Sequence, residues 1–300
     1  MKISLVYDRQ YLDDCWRVGG TWSAYQATKL ALETMRVEVA TRLEDCDFVI
    51  FWDCLELAAK YPDYLKEHSR QALVKIGGYF QGDPDLGIPW GMLHAVGAVV
   101  MSSPDMVGDA VKRCCARVEW IPDGYDPRIF YPYPANQMGG SIVACCGMDD
   151  YRGCGRVLVS GLPVRIVGPM VDRGDAVKVS SAYEGQVPHE AMGDFLRSGY
   201  LFLSLVGPSK GFTISRLEAM ACGLPMICSD QGWQQLCMGT AKVIPLKRLD
   251  ADPQFLSKTV AELSLPELRR MRETGLAKAA EFTPDKVGAM WLDLLRSMEC

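Results

Sequence analysis

Lys210 and Glu218 stand eight positions apart in the stretch GPSKGFTISRLEAMACGLPMICSDQG, which runs from Gly207 to Gly232. The stretch reads as a Gly/Ser-rich turn, a short amphipathic helix from about Thr213 to Cys222, and a buried strand at Met226 to Cys228. At about 100° per residue, Ile214, Leu217 and Ala221 share one stripe, Arg216 points the opposite way, and Glu218 falls beside the stripe. A carboxylate against a core face is unfavourable unless donors reach it, so Glu218 needs either a protein partner or a ligand rich in hydroxyls. The free N–H groups at the start of the helix point at Lys210, Gly211 and Phe212, and such an end attracts phosphate. Gly223 suits the left-handed position that ends a helix, and Pro225 sits where a helix cannot continue. An ordinary loop, helix and strand unit with its Glu paired internally accounts for the same residues.

Two further places could meet a ligand. Gly19 and Gly20 follow a strand at Lys2 to Tyr7 and precede a helix beginning near Trp22 or Ser23, an arrangement that brings backbone N–H groups against a phosphate or sugar, or makes a tight turn. Tyr79 and Asp83 lie in the loop after a strand at Ala72 to Ile76, at the sheet edge where open α/β folds hold ligands. His68, His94 and His189 are assigned no catalytic role, and no Ser-His-Asp set or GxSxG elbow is present. The twelve cysteines include no C-x-x-C pair, which points to reduced thiols and no zinc site. The adjacent pairs Cys114/Cys115 and Cys145/Cys146 should face different sides of their elements.

The elements that must position these residues alternate strand and helix twice over. In the first half the strands are Lys2 to Tyr7, Val37 to Ala40, Asp47 to Trp52, Ala72 to Ile76, Ala98 to Met101 and Val118 to Ile121. The Pro- and aromatic-rich segment that follows changes character and reads as a linker ending near Gly140. In the second half come strands at Ser141, Val164, Ala182 to Gly185, Tyr200 to Val206, Met226 and Ala241, then helices at Leu265 to Glu281 and Pro284 to Met298. Such alternation implies two doubly wound parallel sheets. Three hundred residues with 49% hydrophobic content suffice for two cores. The opening MKISLVYD fits a strand better than a signal peptide, and no apolar run is long enough to cross a bilayer, so the sequence reads as cytoplasmic. Through Phe130 there are 14 Lys+Arg against 19 Asp+Glu, and after it 18 of each. An acidic first half argues against a broad footprint for duplex nucleic acid or anionic lipid there.

Several stretches, in order, resemble the retaining GT-B glycosyltransferases grouped as glycosyltransferase family four. EAMACGLPMICSDQG looks like the family's EAMACGxPVVxSDxGG, and IPDGYDPRIFYP resembles its linker, IPNGVDxxxFxP. The run ending at Pro208-Ser209 and the closing EFTPDKVGAMWLDLL are also similar, and Gly19-Gly20 would be the N-terminal glycine loop. The resemblance implies a GT-B fold, two Rossmann-like domains facing across a cleft. It divides the chain into an acceptor-side domain at 1–130, a linker at 131–140, a nucleotide-sugar domain at 141–282 and a helix at 283–300 that crosses back.

The implied activity is transfer of a sugar from a nucleotide diphosphate sugar, held in the cleft, to a hydroxyl acceptor: a glycan, a small molecule or modified DNA. The nucleotide sugar is a co-substrate; no cofactor or metal is implied. In that pattern Glu218 binds ribose, while Arg152, Lys210 and the amides of Gly211, Phe212 and Thr213 hold diphosphate, with Lys210 and Arg152 as the catalytic cations. Gly19 and Gly20 face phosphate or acceptor, and Tyr79 and Asp83 contact acceptor. The chain departs from the pattern at Lys210, where the family has Glu, at Gly147-Met148, where it has Gly-Arg, and at Arg152-Gly153, where it has Lys-Gly one residue further on. Two other readings stay open: a viral glycosyltransferase acting on hydroxymethylated DNA bases, and a nucleotide-sugar-binding protein without catalysis.

Overall fold

The structure, a computed structural model, describes residues 1–7, 20–43, 45–52, 62–79, 90–134, 139–146, 153–168 and 182–299. The first half runs β1 (Lys2–Val6), α1 (Gly20–Thr34), β2 (Glu38–Ala40), β3 (Phe48–Trp52), α2 (Pro62–Glu67), β4 (Ala72–Ile76), β5 (Gly78–Tyr79), a 3-10 turn at Trp90–Ala95, β6 (Ala98–Met101), α3 (Pro104–Arg113) and β7 (Arg117–Trp120). The second half continues with β8 (Ser141–Cys145), α4 (Cys154–Val159), β9 (Val164–Val167), α5 (His189–Arg197), β10 (Gly199–Ser204), β11 (Lys210–Gly211), α6 (Ile214–Ala221), β12 (Met226–Ser229) and α7 (Gln234–Cys237). It closes with β13 (Lys242–Ile244), α8 (Leu246–Ala251), α9 (Phe255–Ala261), α10 (Leu265–Ala279) and α11 (Pro284–Met298).

Runs such as FVIFW in β3 and AVVM in β6 are buried at every position and have no polar face. A strand of this kind is stable only where both faces of its sheet are covered. Six strands form one parallel sheet in the order β2-β1-β3-β4-β6-β7, and five form a second in the order β13-β12-β10-β8-β9. In each sheet the winding reverses beside the first strand, between β1 and β3 and between β8 and β10. The crevice outside the carboxyl ends at such a reversal is where open α/β sheets hold ligands.

Four elements differ from the sequence reading. Helix α1 begins at Gly20, ahead of Trp22. The strand expected at Ala182 to Gly185 is reduced to a single parallel bridge between Ile166 and Tyr183. The turns read as loops at Gly78 and Lys210 instead form β5 and β11, which pair antiparallel with Lys210 opposite Tyr79 and Gly211 opposite Gly78. Two residues per strand carry too little pattern to be seen locally, and only the partner makes them a strand.

Helix α11 packs on α1: a Cβ at Gly288 would lie 2.4 Å from the Ala31 carbonyl, so only glycine permits that approach. Arg117 Nη1 donates to Ser297 Oγ at 2.6 Å near its end. Among the described residues no helix is long and apolar enough to cross a membrane.

A charge sits in the middle of the first sheet. Lys75, on β4, is fully buried; its ammonium lies 3.0 Å from Asp123 Oδ1, donates to the Ile121 carbonyl at 2.7 Å and stands 5.6 Å above the Trp291 ring of α11. Asp123 also accepts from Ser102 Oγ at 3.2 Å. The pair ties β4, α11 and the segment leaving β7 into one knot. Breaking a buried pair strands a charge, whereas replacing both partners by apolar groups does not. Lys75→Met is therefore expected to cost roughly 3–5 kcal/mol in urea denaturation, and adding Asp123→Leu to recover most of it; a double variant no more stable than the single would show that the knot works otherwise.

Candidate functional site

Helix α6 follows β11, and its residues explain where it ends. Gly223, at φ +73°, takes the left-handed position after Cys222; its N–H donates to the Met220 carbonyl at 2.9 Å, and that of Leu224 to Ala219 at 2.9 Å. Arg272 of α10 donates to the Gly223 carbonyl at 2.8 Å, which closes the end of the helix. The sequence reading gave α6 one core stripe with Arg216 pointing away from it. The structure corrects this: α6 packs against β10, β12, α10 and α1, and Arg216 is buried like its neighbours. A helix enclosed on all sides has no solvent face to which a charged residue can be assigned.

Arg216 is 1% exposed, and among the described residues its hydrogen bonds go to hydroxyls, carbonyls and a thiol. Its Nε donates to Ser204 Oγ at 2.9 Å, Nη1 to the Gln231 carbonyl at 2.7 Å, and Nη2 to the Ser204 carbonyl at 3.3 Å and Ser229 Oγ at 3.4 Å. These acceptors come from the carboxyl ends of β10 and β12 and the turn after β12, so one side chain fixes the sheet edge. Nη1 also lies 3.8 Å from Cys237 Sγ. The hydrogen bond from Cys228, and after it this guanidinium, draw the buried Cys237 thiol down to about 7. Nothing in the sequence around Arg216 marks this role, because its partners lie 12 to 21 positions away.

Glu218 is on the other side of the helix, 4% exposed. Ser23, in the first turn of α1 and 5% exposed, donates its hydroxyl to Glu218 Oε1. Burial pushes the Glu218 carboxyl from its ordinary 4.5 up to about 7, opposed by the Ser23 hydrogen bond. Its charge in turn helps to raise the thiols of Cys145, at the end of β8, and Cys222, both elevated chiefly by burial. Glu218 thus lies beside the β8/β10 reversal, and Ser23 follows β1 at the β1/β3 reversal. The carboxyl-end edges of the two sheets meet at this hydrogen bond.

The loop before α6 is drawn into the same junction. The amide of Phe212, expected to be free, donates to the Gly77 carbonyl at 3.3 Å, and the Gly211 carbonyl accepts from Trp233 N at 3.0 Å. Thr213 precedes α6 and makes no side-chain cap, so the first-turn amides keep no side-chain partner from it. The Phe212 ring packs with Trp233 and Phe282, and Trp120 at the end of β7 meets Trp233 edge-on at 5.7 Å. On the first sheet, Tyr7, Trp22, Tyr25 and Trp52 form an aromatic cluster around the start of α1, with Trp22 stacked on Tyr25 at 5.4 Å.

Gly20 opens α1 and Tyr79 lies on β5 opposite Lys210. Gly19, Asp83 and Arg152, and the side chains of Tyr79 and Lys210, lie outside the described residues. Gly153, which follows Arg152, precedes α4 at φ +81°, and a Cβ there would stand 2.1 Å from the Leu205 carbonyl. That contact places the start of α4 directly against the turn after β10. His189 is buried at the start of α5, meets the Phe130 ring edge-on at 5.7 Å, and has its imidazole pushed down by burial, which fits a neutral packing role. Cys114 is buried and Cys115 exposed, as adjacent positions on opposite sides require. Among the described residues no cluster of His, Cys, Asp and Glu could hold a metal ion.

Solved structures resemble the chain over its whole length. Sucrose-phosphate synthase from Thermosynechococcus elongatus aligns over 99% of this chain and 98% of its own with a TM-score of 0.73 and 14% identity. Anabaena HepE in complex with UDP aligns over 99% of both chains, with a TM-score of 0.72 and 12% identity. The chain shares their fold. These neighbours are GT-B glycosyltransferases, and the pneumococcal O-GlcNAc transferase GtfA, in complex with UDP and GlcNAc, is another, at 13% identity and a TM-score of 0.64 over 92% of this chain and 60% of its own. No protein-family model and no curated protein matches the sequence.

Two outcomes follow from the buried charges. Because the folded Glu218 holds its proton up to about 7, the folded state binds more protons than the unfolded between pH 4.5 and about 7, and stability falls as pH rises through that window. Relative to Glu218→Gln, the native chain should lose on the order of 3 kcal/mol between pH 4.5 and 8, at about 1.36 kcal/mol per pH unit; parallel pH profiles of urea unfolding would reveal an absent difference. Arg216→Met, which leaves the Ser204 and Gln231 carbonyls without their donor, should cost roughly 3 kcal/mol, and Arg216→Lys less. Thermal melts of both variants check the order.

Proposed function

We propose that the chain is a glycosyltransferase that moves a sugar from a nucleoside diphosphate sugar to a hydroxyl acceptor, with retention and without a metal ion. The observation that carries this reading is the junction of the two sheet edges at Ser23 and Glu218: a buried carboxylate with acceptor capacity to spare, placed where both halves of the chain could close on one ligand. The neighbours of the same fold solved with UDP, and with UDP-glucose in the case of HepE, support a nucleotide sugar as that ligand.

In this reading Glu218 accepts hydrogen bonds from the ribose, and the diphosphate rests on Arg152, Lys210 and the amides of Gly211 and Thr213, joined by that of Phe212 once it leaves the Gly77 carbonyl. Positive groups fixed where the leaving diphosphate gathers charge lower the barrier without reorganising. A leaving phosphate oxygen takes the acceptor's proton on the same face, so the protein supplies no base. Gly19 and Gly20 face the phosphates or acceptor, and Tyr79 and Asp83 the acceptor. Residues 1–130 form the acceptor side, 131–140 the linker and 141–282 the nucleotide side, with 283–300 crossing back over the first domain.

A second reading, nucleotide-sugar binding without transfer, is favoured by Lys210 and Met148 standing where the resembled family has Glu and Arg. Calorimetry with UDP and release of UDP from UDP-glucose separate the two. Binding with turnover supports the enzyme, and binding with none over long incubation supports the binder. Glu218→Ala should weaken UDP roughly 10- to 100-fold, the weight of hydrogen bonds to a charged acceptor. Unchanged affinity would remove Glu218 from the ribose site.

A further inference from the structure

Ser23 and Glu218 lie 195 positions apart and belong to helices of different halves, yet each is at least nine-tenths buried and they are joined by a hydrogen bond. The hydroxyl of Ser23 is the hydrogen-bond partner of Glu218 among the described residues. A carboxylate has about four acceptor sites, and one hydroxyl fills one of them. At 4% exposure, Glu218 has little surface through which a ligand could approach while Ser23 is in place.

We propose that Ser23 is a positioning residue that competes with the ligand's hydroxyls for Glu218, so that a nucleotide engages this carboxylate only as α1 gives it up. The inference rests on the reading of Glu218 as a ribose-binding group and adds to it a determinant of affinity from the opposite half. The exchange is hydroxyl for hydroxyl: the donor of one hydrogen bond leaves and the ligand's donors replace it, with no proton or covalent change. Ser23 keeps the buried acid satisfied before the ligand arrives, and in doing so it lowers the ligand's apparent affinity. It also couples arrival of the nucleotide to movement between α1 and α6, the helices that join the two sheet edges.

The test is calorimetry at pH 8, above the value of about 7 to which burial raises Glu218. UDP, ADP and GDP are titrated into the native chain, Ser23→Ala, Ser23→Cys, Glu218→Gln and the Ser23→Ala/Glu218→Gln double variant. Ser23→Ala should bind the preferred nucleotide roughly tenfold tighter, the weight of one hydrogen bond to a charged group. Ser23→Cys, a near-isosteric weak donor, should fall between, and it serves the same purpose if the alanine variant folds poorly. The 2′,3′-dideoxy nucleotide should bind the native and Ser23→Ala chains equally, and Ser23→Ala should have no effect in the Glu218→Gln background. A merely structural Ser23 would shift all ligands alike and would persist in that background. Unchanged or weaker binding of the ribonucleotide by Ser23→Ala overturns the competition while leaving the glycosyltransferase reading intact. Absence of binding by all three nucleotides to every variant overturns both.

Discussion

A helix with no face to solvent has no cheap place for ionisable side chains, and α6 carries two. Their solutions are opposite. Arg216 turns into its own sheet and finds carbonyl and hydroxyl acceptors at the ends of β10 and β12, so its donors are consumed by the fold. Glu218 turns outward to α1 and, among the described residues, finds a single hydroxyl. A buried cation saturated with acceptors is a structural bolt, whereas a buried anion with one donor keeps capacity for more. The elevated carboxyl of Glu218 expresses that deficit, since one neutral donor does not offset the loss of water around a charge.

The two halves of the chain are joined unequally. On the side of the linker, Lys75, Asp123 and the Trp291 ring form a fully buried knot whose disruption strands a charge. Facing the proposed site, beside the Trp120–Trp233 ring contact, the polar joints among the described residues include a two-residue antiparallel ladder, the Phe212 amide on Gly77 and the Ser23 hydroxyl on Glu218. Each of these groups can exchange its partner for water or a ligand at a net cost of only about 1 kcal/mol or slightly more. The polar joints facing the candidate residues can thus change partners, whereas the Lys75–Asp123 pair cannot do so without stranding a charge.

Much of this was legible because periodicity and punctuation are local. Uniformly apolar runs such as FVIFW announced buried parallel strands, Gly223 and Pro225 announced the end of α6, and Pro284 to Met298 was bounded as the sequence implied. The requirement that Glu218 have a donor was also local, since it follows from a carboxylate beside an apolar stripe. What could not be read is whatever depends on a second element. Lys75 looks like a solvated residue in a strand until Asp123 and Trp291 arrive from far along the chain. Arg216 reads as a surface residue until the ends of β10 and β12 and the turn after β12 bring acceptors to its face. The strands β5 and β11 exist only as a pair, and Ser23 has no meaning for Glu218 before the halves are docked.

The distribution of charge bears on which way round a ligand would lie. The first half through Phe130 carries five more acids than bases, and the remainder is balanced. A di-anionic ligand would therefore meet more net repulsion from the first half than from the second, at distances within the Debye length of about 8 Å at physiological salt. Close range sharpens the bias. The first turn of α6, which belongs to the balanced half, receives no side-chain cap from Thr213 for its amides and lies next to a sheet edge stiffened by Arg216. Anion and hydroxyl ends of one ligand would then be sorted by different physics: the anion by backbone dipoles and long-range charge, the hydroxyls by the unfilled acceptor sites of Glu218. Because Glu218 lies one turn along α6 from those amides, a molecule that carries both groups a few ångströms apart satisfies the two at once, which neither a bare phosphate nor a plain sugar can do.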